Sequence, residues 1–137
     1  MSQILTVVVG SSVGTPGTGT LTVAGHPESY EPCYHCALIW ESGRVYATIS
    51  GVTFSASYSG TTPISASVAT ALASSINAAS SPVSATVSGS VITIKYKDNG
   101  AVTNYSLSTS YSYSAGDFTS PAFTAAPSGS SLTGGTD

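Results

Sequence analysis

Apolar and polar residues alternate along most of this chain with the period of two that marks β-strands. Ile4, Leu5, Val7, Val8 and Val9 form a β-branched, apolar run that ends at Gly10, and a Ser/Gly/Thr/Pro stretch through Gly19 then reads as a flexible connector. Thr20-Leu21-Thr22-Val23-Ala24 predicts a second strand that stops at Gly25. From residue 26 to 42 no period survives. His26-Pro27-Glu28, Glu31-Pro32-Cys33-Tyr34-His35-Cys36 and Trp40 crowd into what reads as one long ordered loop. Beyond it Val45, Ala47 and Ile49 alternate with Tyr46, Thr48 and Ser50, and after Ser50-Gly51 the alternation resumes through Val52, Phe54, Ala56 and Tyr58. That pattern is a β-hairpin with one apolar face.

At Ser65 the period changes. Val68, Ala69, Leu72, Ala73 and Ile76 recur at helical spacing, with Ser65 as the expected N-cap and Asn77 and Pro82 as stop signals. The predicted helix spans 65–79, and its narrow, Ala-rich stripe suits close packing on a sheet. Val83, Ala85 and Val87 then alternate up to Ser88-Gly89, and Ile92, Ile94 and Tyr96 alternate up to Asp98-Asn99-Gly100, a hairpin signal that predicts a returning strand through Tyr105, Leu107 and Thr109. The Ser-, Pro- and Gly-rich tail, with Tyr111, Tyr113, Phe118 and Phe123, has room for one more short strand. The expected architecture is α+β, mostly β: an antiparallel sheet of about five to seven strands, one helix on one face and an N-terminal β extension. Residues 1–19 are strand and linker in this reading, and 20–137 are a single domain.

Composition sharpens the picture. Ser and Thr fill about a third of the 137 residues, whereas only 7% are charged and the net charge is −3. Hydroxyls must therefore solvate the surface in place of Lys and Glu, as on many secreted β proteins. With Arg44, Lys95 and Lys97 as the whole cation set, the chain lacks the basic footprint that nucleic acid requires. No apolar run reaches the length of a membrane span, and no basic, apolar export leader opens the sequence. An extracellular or cell-surface location is expected, by a route the sequence does not display.

Cys33-x-x-Cys36 is the most pointed chemical feature. A disulfide that fixes the loop, a redox dithiol, half of a metal site with His26 or His35, and free buried thiols are the competing readings. The irregular Pro32 setting is unlike the helix start that a redox dithiol usually occupies, and the His spacing fits no common zinc pattern. The disulfide is the preferred expectation, worth about 1–2 kcal/mol for so short a ring. The carboxylates Glu28, Glu31, Glu41, Asp98, Asp117 and Asp137 form no recognisable acid/base pair and read as solvated loop charges. No Gly-x-Ser-x-Gly elbow and no phosphate cradle occur. No enzyme activity, cofactor or metal is expected.

The segment from Val45 to Asp137 resembles a known kind of α+β module. The resemblance is carried by the helix from Ser65, the run Val83-Ser84-Ala85-Thr86-Val87-Ser88-Gly89, Asn104-Tyr105-Ser106-Leu107-Ser108 and the terminal Leu132-Thr133-Gly134-Gly135-Thr136-Asp137. Such modules recur in large secreted bacterial proteins, including some with recombination-hot-spot-type (Rhs) repeats, and more distantly in contractile phage tail sheath proteins. The resemblance implies a structural or adhesive building block and brings no catalytic residues with it.

Two kinds of contact are expected. In the first, the strand containing Ile4, Leu5, Val7, Val8 and Val9 adds to a neighbour's sheet edge, giving filaments or arrays of the chain or of neighbouring domains. In the second, Tyr30, Tyr34, Trp40 and Tyr46 of the loop region and Tyr111 and Tyr113 of the tail stack on glycans, as in an adhesion module.

Overall fold

A computed structural model describes residues 14–78, 81–98, 100–113 and 118–137. The expected strand at 3–9 lies outside the described residues. Within them the chain forms β1 (Thr18–Gly25), β2 (Ser29–Tyr30), β3 (Ile39–Trp40), β4 (Gly43–Ile49), β5 (Val52–Tyr58), α1 (Ser65–Ala78), β6 (Val83–Ser88), β7 (Val91–Tyr96), a 3-10 turn at Ala101–Thr103, β8 (Leu107–Tyr113) and β9 (Phe123–Pro127). The fold is α+β and mostly β, with antiparallel pairing throughout and somewhat more strands than the alternation suggests.

The strands divide into two main sheets, ordered β6-β7-β1-β9 and β5-β4-β8, plus the short ribbon β2-β3. Alternation builds each sheet directly. Leu21 and Val23 of β1, Val45, Ala47 and Ile49 of β4, and Ile92 and Ile94 of β7 all point inward and are buried, while their neighbours point out. The β4-β5 hairpin turns at Ser50 and Gly51, both with positive φ (53° and 82°), which is the backbone that a two-residue hairpin loop needs.

The hairpin expected at Asp98-Asn99-Gly100 does not form, because β7 and β8 belong to different sheets. The Gly100 N–H donates to the Thr15 carbonyl, and the Thr103 hydroxyl donates to the Gly100 carbonyl, so the chain is drawn into the 3-10 turn and across to the second sheet. The same contacts correct the expected linker. In its described part, Thr15 pairs with Thr136 and Thr18 with Thr133, so this segment is tied to the tail rather than loose.

The two sheets meet along one side and are bridged along the other. At one corner Leu107 and Leu132 donate to the Ser130 and Tyr105 carbonyls, and β8 and β9 then run in different sheets. The Thr109 and Tyr111 hydroxyls link the two strands by donating to the Ala125 carbonyl (2.8 and 3.1 Å). On the far side α1 packs against both β5 and β6 and also reaches β1 and β7. Its stripe is the predicted one, Val68, Ala69, Leu72, Ala73 and Ile76, all buried, and the small Ala residues let the helix lie close.

The cap differs from expectation. The Ile64 carbonyl accepts from the Ser67 and Val68 N–H groups, and the Ile64 N–H donates to the Ser67 hydroxyl. Ile64 is thus the cap and Ser65 the first helical residue, since the reciprocal side-chain bond comes from the position three residues on. At the other end Asn77 both donates to and accepts from the Ala85 backbone of β6 (2.8 and 2.9 Å).

Candidate functional site

The irregular stretch 26–42 is not a simple loop but a finger. Ser29 pairs with Trp40 and Tyr30 with Ile39, making a two-stranded ribbon whose tip carries Cys33 and Cys36 at disulfide distance (Cα–Cα 5.2 Å). The Cys36 N–H donates to the Cys33 carbonyl, so the tip is a tight turn inside the Cys-x-x-Cys ring. Between the two cysteines, the Tyr34 and His35 rings meet at a tilt of 42° with centres 3.8 Å apart, and His35 takes the left-handed backbone (φ 62°).

Exposure is concentrated here. Tyr34 is 77% exposed, Leu38 51%, Ile39 39% and Tyr30 38%, a density of open apolar side chains seen in no other short segment among the described residues. Trp40 is half-buried. The finger is acidic through Glu28 and Glu31, and the exposed His26 Nδ1 lies 3.2 Å from Glu28 Oε2. Among the described residues no three His, Cys, Asp or Glu come together as a metal site.

The finger is rooted by Glu41, which the sequence places among solvated loop charges and the structure buries at 2% exposure. Its Oε2 accepts from the Tyr58 hydroxyl (2.8 Å) and from the Ala122 N–H, while Oε1 is buried without a hydrogen-bond partner among the described residues. The Glu41 N–H also donates to the Glu28 carbonyl across the base of the finger. Tyr58 in turn packs edge-on against Phe123, with ring centres 5.0 Å apart. Burial, then the hydrogen bond to Glu41 and the carboxylate's charge, push the Tyr58 hydroxyl up to about 12. One buried carboxylate thus joins the finger base, β5 and the segment leading into β9. A second brace is Tyr30, whose ring meets Phe118 edge-on at 6.3 Å.

The expected stacking aromatics do not form one surface. Tyr30, Tyr34 and Trp40 belong to the finger. Tyr111 and Tyr113 lie at the seam between sheets, where their hydroxyls donate to the Ala125 and Thr119 carbonyls. Tyr46 is on the outward face of β4, where its hydroxyl shares a hydrogen bond with Ser112. The assembly residues Ile4, Leu5, Val7, Val8 and Val9 lie outside the described residues.

Sequence reading missed two side chains. Glu41 carried no signal, since its burial depends on Tyr58 and Ala122, which are distant in the chain. Arg44 was legible, because the alternation Arg44-Val45-Tyr46-Ala47-Thr48-Ile49 puts it beside Tyr46 on the outward face. An open hollow of about 360 Å³ lies between Ser57 and Tyr58 at the end of β5 and Pro63, Ser67 and Val68 at the start of α1. Its lining holds no acid or base beyond the Tyr58 hydroxyl, already bonded to Glu41.

Among the described residues no helix is long and apolar enough to cross a membrane. No protein-family model matches the chain, and no curated protein is significantly similar to it.

Proposed function

We propose that this chain is a non-catalytic structural module of an extracellular or particle surface, a repeat-like building block that meets further copies of itself or neighbouring domains through the finger. The observation that carries this reading is the rigidly rooted ribbon with Tyr34, Leu38 and Ile39 held open to solvent. An exposed apolar element costs solubility unless it meets a partner, and bracing by Glu41 and the cysteine pair lowers the entropy lost on contact. The low charge of the remaining surface suits close subunit packing, because few ions need to be stripped of water. The non-catalytic part draws support from the carboxylates: among the described residues the one held in a fixed buried setting, Glu41, serves as a structural tie. The resemblance to modules of large secreted bacterial proteins agrees with the building-block role.

Light scattering and electron microscopy of the full chain provide the test. Concentration-dependent association is expected, and the Tyr34→Ser, Leu38→Ser double variant is expected to remain monomeric with an unchanged circular dichroism spectrum. A double variant that assembles like the parent overturns the role of the finger.

Strand addition by residues 3–9 is the second reading, favoured by their β-branched, apolar character. Against it, the edges of β5 and β6 are engaged by side chains of α1, and β8 and β9 face one another. Removing residues 1–12 separates the two: loss of assembly with a folded body identifies the arm, and retention identifies the finger.

A further inference from the structure

The outward face of the β5-β4-β8 sheet is a nine-residue grid. Register and alternation place Ser57, Arg44 and Ser112 in one row, Ser55, Tyr46 and Ser110 in the next, and Thr53, Thr48 and Ser108 in the third. Seven positions are hydroxyls, and the central strand supplies one guanidinium and one phenol. Arg44 donates from one guanidinium nitrogen to the Ser55 hydroxyl (3.1 Å), Tyr46 and Ser112 share a hydrogen bond (3.3 Å), and so do Thr48 and Thr53 (3.0 Å). The two long side chains therefore reach to opposite neighbouring strands across the face. Among the described residues no carboxylate lies at salt-bridge distance from the exposed Arg44.

We infer that this face binds an acidic polysaccharide, one whose sugar rings carry carboxylates. The planar guanidinium offers a fork that matches a carboxylate, and its hydrogen bond to Ser55 holds it in place on the sheet. The Tyr46 ring offers an apolar surface for the C–H face of a sugar, and each Ser or Thr hydroxyl can both donate to and accept from sugar hydroxyls. Nine side chains spread over three strands match an extended polymer lying across the rows better than a free sugar acid, which a walled pocket would suit.

The β6-β7-β1-β9 sheet supplies a comparison within the same molecule. Its outward rows, Ser84-Lys95-Thr18 and Thr86-Thr93-Thr20, repeat the hydroxyls and one cation but include no aromatic ring. A grid of hydroxyls is therefore the general surface of this protein, and what sets the β4 face apart is Arg44 and Tyr46 side by side.

Titration of the full chain with oligogalacturonate and with its methyl-esterified, uncharged form tests the inference. The acid form is expected to bind at low salt and to weaken as salt is raised, with the ester binding at least about tenfold more weakly, a difference within the range of one charge-assisted hydrogen-bonded contact. Arg44→Gln and Tyr46→Ser should each lower affinity to a similar degree, Arg44→Lys should fall between because it keeps the charge and loses the fork, and Lys95→Gln should change nothing. Tyr34→Ser, in the finger, should leave the titration unchanged, so failure of the finger reading and failure of this one are distinguishable. All of these residues are at least partly exposed, so the melting curves should stay close to that of the parent. No binding of the acid form, equal binding of acid and ester, or unchanged binding in Arg44→Gln overturns the inference.

Discussion

Glu41 shows what a single residue decides in this chain. Burying a carboxylate costs heavily unless donors meet it, and both of its donors, the Tyr58 hydroxyl and the Ala122 N–H, converge on one oxygen. Glu41→Gln can keep both bonds through its amide oxygen, so it should cost under ~1 kcal/mol. Glu41→Ala leaves two buried donors unpaired and should cost about 2–6 kcal/mol, at ~1–3 kcal/mol for each unsatisfied group. Chemical denaturation of the three proteins checks that order, and a glutamine variant as damaged as the alanine one would show that the charge itself is required. Tyr58 adds a dependence on pH. Its hydroxyl holds a proton up to about 12 in the folded chain against 10.0 in the open one. The folded state therefore retains the proton longer, and the contribution to stability is complete below pH 10 and lost as pH rises towards 12. Tyr96 is also shifted upward, by burial first and Tyr105 second, so the informative quantity is the parent's loss between pH 10 and 12 minus that of Tyr58→Phe. That difference should be positive. Neither residue was recognisable as a pair in the sequence, because their seventeen-residue separation follows no helical or strand period that would bring them together.

At the scale of elements, the local patterns were legible and the connections between them were not. The stripe Val68, Ala69, Leu72, Ala73, Ile76 identified α1 and its buried face, and alternation identified the inward residues of β4, β5, β6 and β7 except at the strand ends, where Val52 and Val87 are exposed. What periodicity does not encode is which edges meet. Asp98-Asn99-Gly100 has hairpin chemistry, yet the Thr15 carbonyl captures Gly100 and sends the chain to another sheet. Asn77 reads as a helix stop, and it also fastens α1 to β6 by a two-bond amide clip at Ala85. Asn77→Ala should cost about 1–3 kcal/mol by leaving the Ala85 N–H and carbonyl unpaired, and it should increase aggregation on warming because the β6 edge is uncovered. Thermal melts with turbidity readout check both effects. The finger behaves differently, since its exposed tip contributes little to the core. Cys33→Ser with Cys36→Ser should lower overall stability by no more than about 1–2 kcal/mol, the value for so short a ring, while proteases should now cut between residues 31 and 38. An unfolded double variant would show that the cysteine pair supports the body as well as the tip.

For the whole molecule, the Ser/Thr-rich composition and the sheet architecture are two sides of one arrangement. The inward positions of both sheets and of α1 hold the apolar residues, and hydroxyls take most outward positions, so the domain is solvated without charges. An uncharged β surface is prone to edge-to-edge aggregation, and here the sheet edges engage one another or α1 instead of carrying lysines. The β8-β9 seam is the narrowest part of that closure. Thr109 and Tyr111 donate to the same Ala125 carbonyl, so losing either donor leaves the acceptor satisfied by the other. Thr109→Val and Tyr111→Phe should each cost well under ~1 kcal/mol, whereas the double variant strands the carbonyl and should cost about 1–3 kcal/mol, more than the sum of the singles. Denaturation of the four proteins measures that coupling. Additive losses would mean that the sheets are held together at the Leu107–Leu132 corner and by α1, with the seam contributing nothing to closure.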